Sequence, residues 1–139
     1  MAGIIQDGDY HNEQVAPALN DGFVVYRGPV GGVARAKALG SAHALLHLIN
    51  FEEPFGLSVV EALASGTPVI ASNRGSMPEL IDHGVTGFLV NSVDEAVEAI
   101  GRIGEIDRAA CRAAVSARFT ADRMADRYLD VYRSLLGLD

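Results

Sequence analysis

Two glutamates, Glu53 and Glu61, flank the turn Pro54-Phe55-Gly56-Leu57 with seven residues between them. Carboxylates held in one crevice suit neighbouring hydroxyls, such as those that sugars and riboses present. The residues around them supply the positioning. The apolar run Ala44-Leu45-Leu46-His47-Leu48-Ile49 predicts a buried strand. Pro54 cannot extend that strand's ladder, and Gly56 permits a tight turn with close backbone approach. Leu57 to Ser65 then has helix-forming composition. A turn between a strand's carboxyl end and a helix is where open α/β sheets bind ligands, with amide N–H groups and the positive helix end facing an anion. Counted from Leu57, Glu61 shares a helix stripe with Ser58 and Ser65, whereas Val59, Val60 and Leu63 face the sheet.

The flanking sequence alternates strands and helices. Ala2 to Ile5 predicts a short strand ending in the acidic turn Asp7-Gly8-Asp9, Tyr10 to Leu19 a weak helix interrupted at Pro17, and Phe23 to Tyr26 another strand. Arg27-Gly28-Pro29-Val30-Gly31-Gly32 is a connecting loop whose glycine spacing does not fit the dinucleotide fingerprint. Val33 to Ala42 is helical. After the central turn, Thr67 to Ala71 predicts a strand with its proline at the tolerated start, and Pro78 sits in the first turn of a short helix. Thr86 to Val90 is a further strand. Ser92-Val93-Asp94-Glu95 forms a capping box, with Val93, Val97 and Ile100 on one stripe behind it. Asp107 starts an Ala/Arg helix, and Thr120 caps the last one, where Phe119 and Met124 are spaced as a hydrophobic staple. Met124, Tyr128, Val131, Tyr132 and Leu135 line one side of that helix, which predicts packing on its own core.

Taken together, Glu53-Pro54-Phe55-Gly56-Leu57, Glu61-Ala62-Leu63, Gly66-Thr67-Pro68-Val69-Ile70-Ala71, Gly75-Ser76-Met77-Pro78-Glu79-Leu80 and Gly84-Val85-Thr86-Gly87-Phe88-Leu89-Val90 resemble, in the same order, the carboxy-terminal donor-binding domain of retaining glycosyltransferases of the GT-B fold, family 4 (glycosyl transferases group 1). The resemblance implies a doubly wound, mainly parallel, Rossmann-like α/β sheet over residues 1–139. It implies a nucleotide-diphospho-sugar as ligand (a UDP-, GDP- or ADP-sugar) and retaining transfer without a metal. By that resemblance Glu53 is the catalytic candidate, touching donor-sugar hydroxyls, and Glu61 holds the ribose. Phe55, Gly56, Leu57 and Ser58 would offer amides to the diphosphate, Ser58 adding its hydroxyl, and the loop with Gly28 and Val30 would lie near the nucleobase. Glu52 is expected to be a surface neighbour; Gly75 and Ser76 are weaker ligand candidates.

The family's first strand–helix unit, with its Gly-Arg turn and phosphate-holding lysine, has no counterpart in these residues, nor does the amino-terminal acceptor domain. Without them a diphosphate would have the helix terminus, worth about 0.3–1 kcal/mol exposed and up to ~2 when partly buried, but not the stronger charge-assisted contacts. Orientation of an acceptor supplies roughly 7–11 kcal/mol of a barrier, so the isolated chain is expected to be inactive. The expected partners are the nucleotide-sugar and the acceptor domain, or another chain reached through the final helix, with any peripheral membrane contact made only through the other half. The rival readings are a stand-alone nucleotide-sugar-binding or assembly module, and an epimerase or phosphorylase on the same architecture. The only lysine is Lys37, which leaves no later Schiff-base lysine for a pyridoxal-dependent phosphorylase.

Composition excludes other classes. At 139 residues, 49% hydrophobic and 21% charged, the chain has the makings of one packed domain and is not disordered. A net charge of −7 without a basic stripe argues against nucleic acid. The lone Cys111 cannot form an internal disulfide, which fits a reducing cytoplasm. No signal-peptide core or bilayer-length apolar run occurs. Asp7-Gly8-Asp9 formally matches the D-x-D of metal-dependent transferases, but nothing nearby completes a cation site, so it reads as a polar turn. His43 and His47 would be about 13 Å apart on an extended segment, so no metal site is expected.

Overall fold

The computed structural model describes residues 1–20 and 22–138, which group into two compact units divided between residues 37 and 38.

In the first unit Asp7 caps a one-turn helix, α1 (Gly8–Tyr10), by accepting the Tyr10 amide at 2.9 Å. A π-helical turn (His11–Val15) and α2 (Ala16–Leu19) follow. Pro17 has no N–H to donate, and the Ala16 amide just before it reaches five residues back, to the His11 carbonyl. The strands expected over Ala2–Ile5 and Phe23–Tyr26 do not form. These stretches exchange scattered bonds instead of a ladder: Gly3 N to Gly28 O and Arg27 N to Met1 O, both 3.0 Å, with the Met1 amino group donating to Val25 O and the Tyr26 hydroxyl to Gly3 O, both 2.6 Å. Parallel pairing persists where both faces are covered, and here Phe23 is 95% exposed. Helix α3 (Gly32–Ser41) spans the boundary between the units in sequence.

The second unit is built on a three-stranded parallel sheet in the order β1 (Leu45–His47), β2 (Val69–Ser72), β3 (Gly87–Val90). Leu45 pairs with Val69 and Val69 with Gly87. Helix α4 (Leu57–Ala64) crosses from β1 to β2, and the short α5 (Met77–Leu80) lies between β2 and β3. Helices α6 (Val93–Arg102), α7 (Arg108–Arg118) and α8 (Ala121–Leu136) follow. Successive strand residues point to opposite faces. Because Val69, Ile70 and Ala71 are all fully buried, both faces of β2 are covered, with α4 and α6 packed against this strand. This is the parallel α/β arrangement expected.

Strand β1 is not the buried strand expected. It pairs only with β2 among the described residues, and Leu46 is 52% exposed. Helix α6 buries Ala96 and Ala99, while the stripe of Val93, Val97 and Ile100 stays about half exposed or more. Alanines let the helix approach the sheet closely, which the bulkier stripe would not. Its capping box is shifted: Ser92 accepts the Glu95 amide at 3.1 Å, but Glu95 Oε2 accepts the Asn91 amide at 2.7 Å. Asp107 and Thr120 cap α7 and α8 as expected. Helix α8 buries none of its residues, so its apolar stripe is not packed on the domain's own core.

Candidate functional site

The turn after β1 is set by Gly56. Its φ of +88° is a left-handed conformation that residues bearing a Cβ rarely adopt. That conformation lets its carbonyl accept the Val59 and Val60 amides at 3.0 and 3.3 Å, which starts α4. No side chain caps this helix. The first amides of a helix have no partner within it, and Leu57 and Ser58, which carry two of them, are exposed. Gly56 itself is buried against Met77 and Leu80 of α5.

Glu53 and Glu61 are both half-buried. Glu53 Oε1 meets the Phe55 amide at a long 3.4 Å. Glu61 sits one turn into α4, on the side that Ser58 and Ser65 share, and its carbonyl accepts the Ser65 amide and hydroxyl at 3.0 and 2.8 Å. Val59 and Leu63 are fully buried, Val60 only partly. Two acceptor-only groups on either side of uncapped amides can take up hydroxyls and an anion together. Phe55 is partly exposed and meets Phe119 edge-on, ring centroids 6.5 Å apart. Gly28 and Val30 lie in the first unit, Gly28 at φ +65°.

Two cavities open in the second unit. A mainly apolar groove of about 500 Å³ runs from Phe55 and Leu57 past Leu80 to Met124 and Tyr128 of α8. A polar one of about 410 Å³ opens beyond β2 and β3, among Ser72, Asn73, Arg74, Asn91 and Ser92. Neither is lined by Glu53 or Glu61.

His47 on β1 is also part of this environment. Burial pushes its imidazole below the ordinary range, and the Glu53 carboxylate pulls it partly back. Its Nε2 is buried without a hydrogen-bond partner among the described residues.

Several residues that hold the site were not singled out by sequence reasoning. Arg118 at the end of α7 grips both Asp82 oxygens, at 3.0 and 2.9 Å, and donates to the Glu79 carbonyl, bracing α5 beneath Gly56. Arg108 donates to the carbonyls of Ala42 and Gly40 at 2.8 Å each and to Thr67 Oγ1 at 3.1 Å, tying the end of α3 to the start of β2. An arginine among alanines gives no sequence signal of such a role. Among the described residues no group of three or more His, Cys, Asp or Glu is gathered to hold a metal ion, and no helix is long and apolar enough to cross a membrane.

Comparison with known proteins places the chain. Residues 2–105 match the family model described as glycosyl transferases group 1. The D-inositol 3-phosphate glycosyltransferase of Streptomyces griseus is 33% identical over 132 residues, covering 90% of this chain and 28% of that protein. The crystal structure of AviGT4, a glycosyltransferase involved in avilamycin A biosynthesis, superposes with a TM-score of 0.81 at 29% identity, over 98% of this chain and 43% of that one. Anabaena HepE in complex with UDP-glucose shares the fold, with a TM-score of 0.80 at 24% identity over 96% of this chain and 40% of that one. The chain thus spans less than a third of the length of the curated relatives it matches, from 10% to 32%. With its parallel α/β sheet and these neighbours, the chain belongs to the group 1 glycosyl transferases and carries the fold of the GT-B enzymes.

Proposed function

We propose that these residues form the carboxy-terminal, donor-binding half of a retaining family 4 glycosyltransferase, acting in the cytoplasm without a metal on a UDP-, GDP- or ADP-sugar. The observation that carries this reading is the uncapped start of α4 at the carboxyl end of β1, with Leu57 and Ser58 exposed between Glu53 and Glu61. In this reading those amides, with that of Phe55, take the diphosphate, whose charge the helix terminus favours. Glu61 accepts from the ribose hydroxyls. Glu53 accepts from the sugar hydroxyls and is the catalytic residue, because bonds that strengthen as the glycosidic bond breaks lower the barrier. The loop with Gly28 and Val30 meets the base.

The half-exposed edge strand β1 supports a second part of the proposal, since parallel strands are normally paired and covered. A further strand–helix unit and an acceptor domain complete the enzyme, and the exposed stripe of α8 faces that other half. Alone, the 139 residues bind donor weakly and transfer nothing. Calorimetric titration with UDP, GDP and ADP tests this. Weak binding that Glu61→Ala abolishes, and that strengthens when the upstream half of a relative is fused on, is the expected result. Nucleotide binding by neither form would end the donor-site reading, and turnover by the isolated chain would end the half-enzyme reading.

A further inference from the structure

The donor turn is irregular backbone, and something must hold it still. We propose that Glu52, Gly75 and Ser76 are its positioning residues, a clamp supplied by the loop after β2; this rests on the donor-site reading of the turn. Four contacts fall on nearly consecutive residues. The Gly75 amide donates to Glu52 Oε2 at 2.5 Å, a charge-assisted bond. The Ser76 amide donates to the Glu53 carbonyl at 2.9 Å. The Ser76 hydroxyl donates to the Phe55 carbonyl at 2.7 Å. Gly75, at φ +56°, lies so close that a Cβ there would stand 2.6 Å from both the nitrogen and the oxygen of Glu53. A few residues on, Met77 and Leu80 close against Gly56.

The division of labour along Glu52 to Phe55 follows from which atoms are taken. The clamp uses the carboxylate of Glu52 but only the backbone of Glu53 and Phe55. The Glu53 carboxylate, whose hydrogen bond among the described residues is the long one to the Phe55 amide, faces a ligand. Two adjacent glutamates of identical chemistry thereby have different tasks, one tethering the turn and one facing outward from it. Gly75 and Ser76, weak ligand candidates in the sequence, act through the turn instead of on a donor. A turn held from outside binds without first being ordered, and that ordering is a cost mobile loops meet on binding.

The test uses the full chain, Glu52→Ala and Ser76→Ala, and the rescue variants Glu52→Gln and Ser76→Thr, which keep an acceptor and a hydroxyl. Two readouts are taken by NMR: solvent exchange of the Gly56, Leu57 and Ser58 amide protons, and the Kd for UDP from amide shifts. The alanine variants are expected to speed exchange at these amides and raise the Kd about fivefold each, what one hydrogen bond is worth, while the rescue variants restore both. Unchanged exchange in the alanine variants overturns the clamp, as does an equal loss in the rescue variants. If the wild-type chain takes no UDP, that result bears on the donor and not on the clamp, and the exchange rates alone decide whether the clamp holds.

Discussion

Replacing Gly56 with alanine separates two effects that a left-handed glycine combines. The first is conformational: an L-residue at φ +88° pays about 1–2 kcal/mol for that region. The second is steric. A Cβ at residue 56 would lie 2.7 Å from Met77 Cε and 3.3 Å from Leu80 Cδ1. Met77 is fully buried and Leu80 nearly so, and the displaced methyl has neighbours on all sides. Overpacking of this kind costs about 1–3 kcal/mol more. Gly84 is the control, because it has φ +78° and nothing within 4 Å of its would-be Cβ. Gly84→Ala should therefore show the first cost alone and Gly56→Ala both. At about 4–8 °C per kcal/mol for a domain of roughly 100 residues, Gly56→Ala should melt at least ~4 °C below Gly84→Ala by calorimetry. Equal midpoints would mean that Met77 simply swings aside and that Gly56 is needed only for its backbone.

Arg108→Ala should destabilise the second unit by about 2–4 kcal/mol, since it strips charge-assisted partners from two carbonyls and a hydroxyl; a denaturation midpoint within error of wild type would refute this. His47 is held below its ordinary pKa, so the unfolded chain binds the extra proton first. Stability should be full above about pH 6.5 and fall as pH drops from there toward the folded value. His47→Gln should flatten that slope, and Glu53→Gln, which removes the opposing pull, should carry it to lower pH. Urea midpoints measured between pH 7.5 and 5 check both.

Much of the second unit was legible because its signals are local and strong. Pro68 and Pro78 mark starts, Gly56 marks the turn, and Ser92, Asp107 and Thr120 cap as their side chains allow. What failed depended on partners that a linear pattern does not name. The stripe Val93–Val97–Ile100 has the right period, yet the sheet accepts the smaller Ala96 and Ala99. Strand β1 is apolar enough for an interior position, but only one strand pairs with it among the described residues. Phe23 to Tyr26 has strand composition but is covered on one side only, with Phe23 and Val25 exposed, so propensity alone does not produce a ladder. Within the site, the glutamates and the turn were readable as a pattern. The roles of Glu52, Arg108 and Arg118 were not, since each depends on a carbonyl or amide more than 20 residues away.

Helix α8 has 16 residues, a threonine cap at one end and Gly137 at the other, but nothing interred along its length. Helices of about this length are marginal in water by themselves. Heating should therefore uncoil this segment gradually before the sheet gives way, as a sloping loss of ellipticity at 222 nm ahead of the cooperative step. A protease with arginine specificity should nibble the tail from that end while the β-layer stays intact.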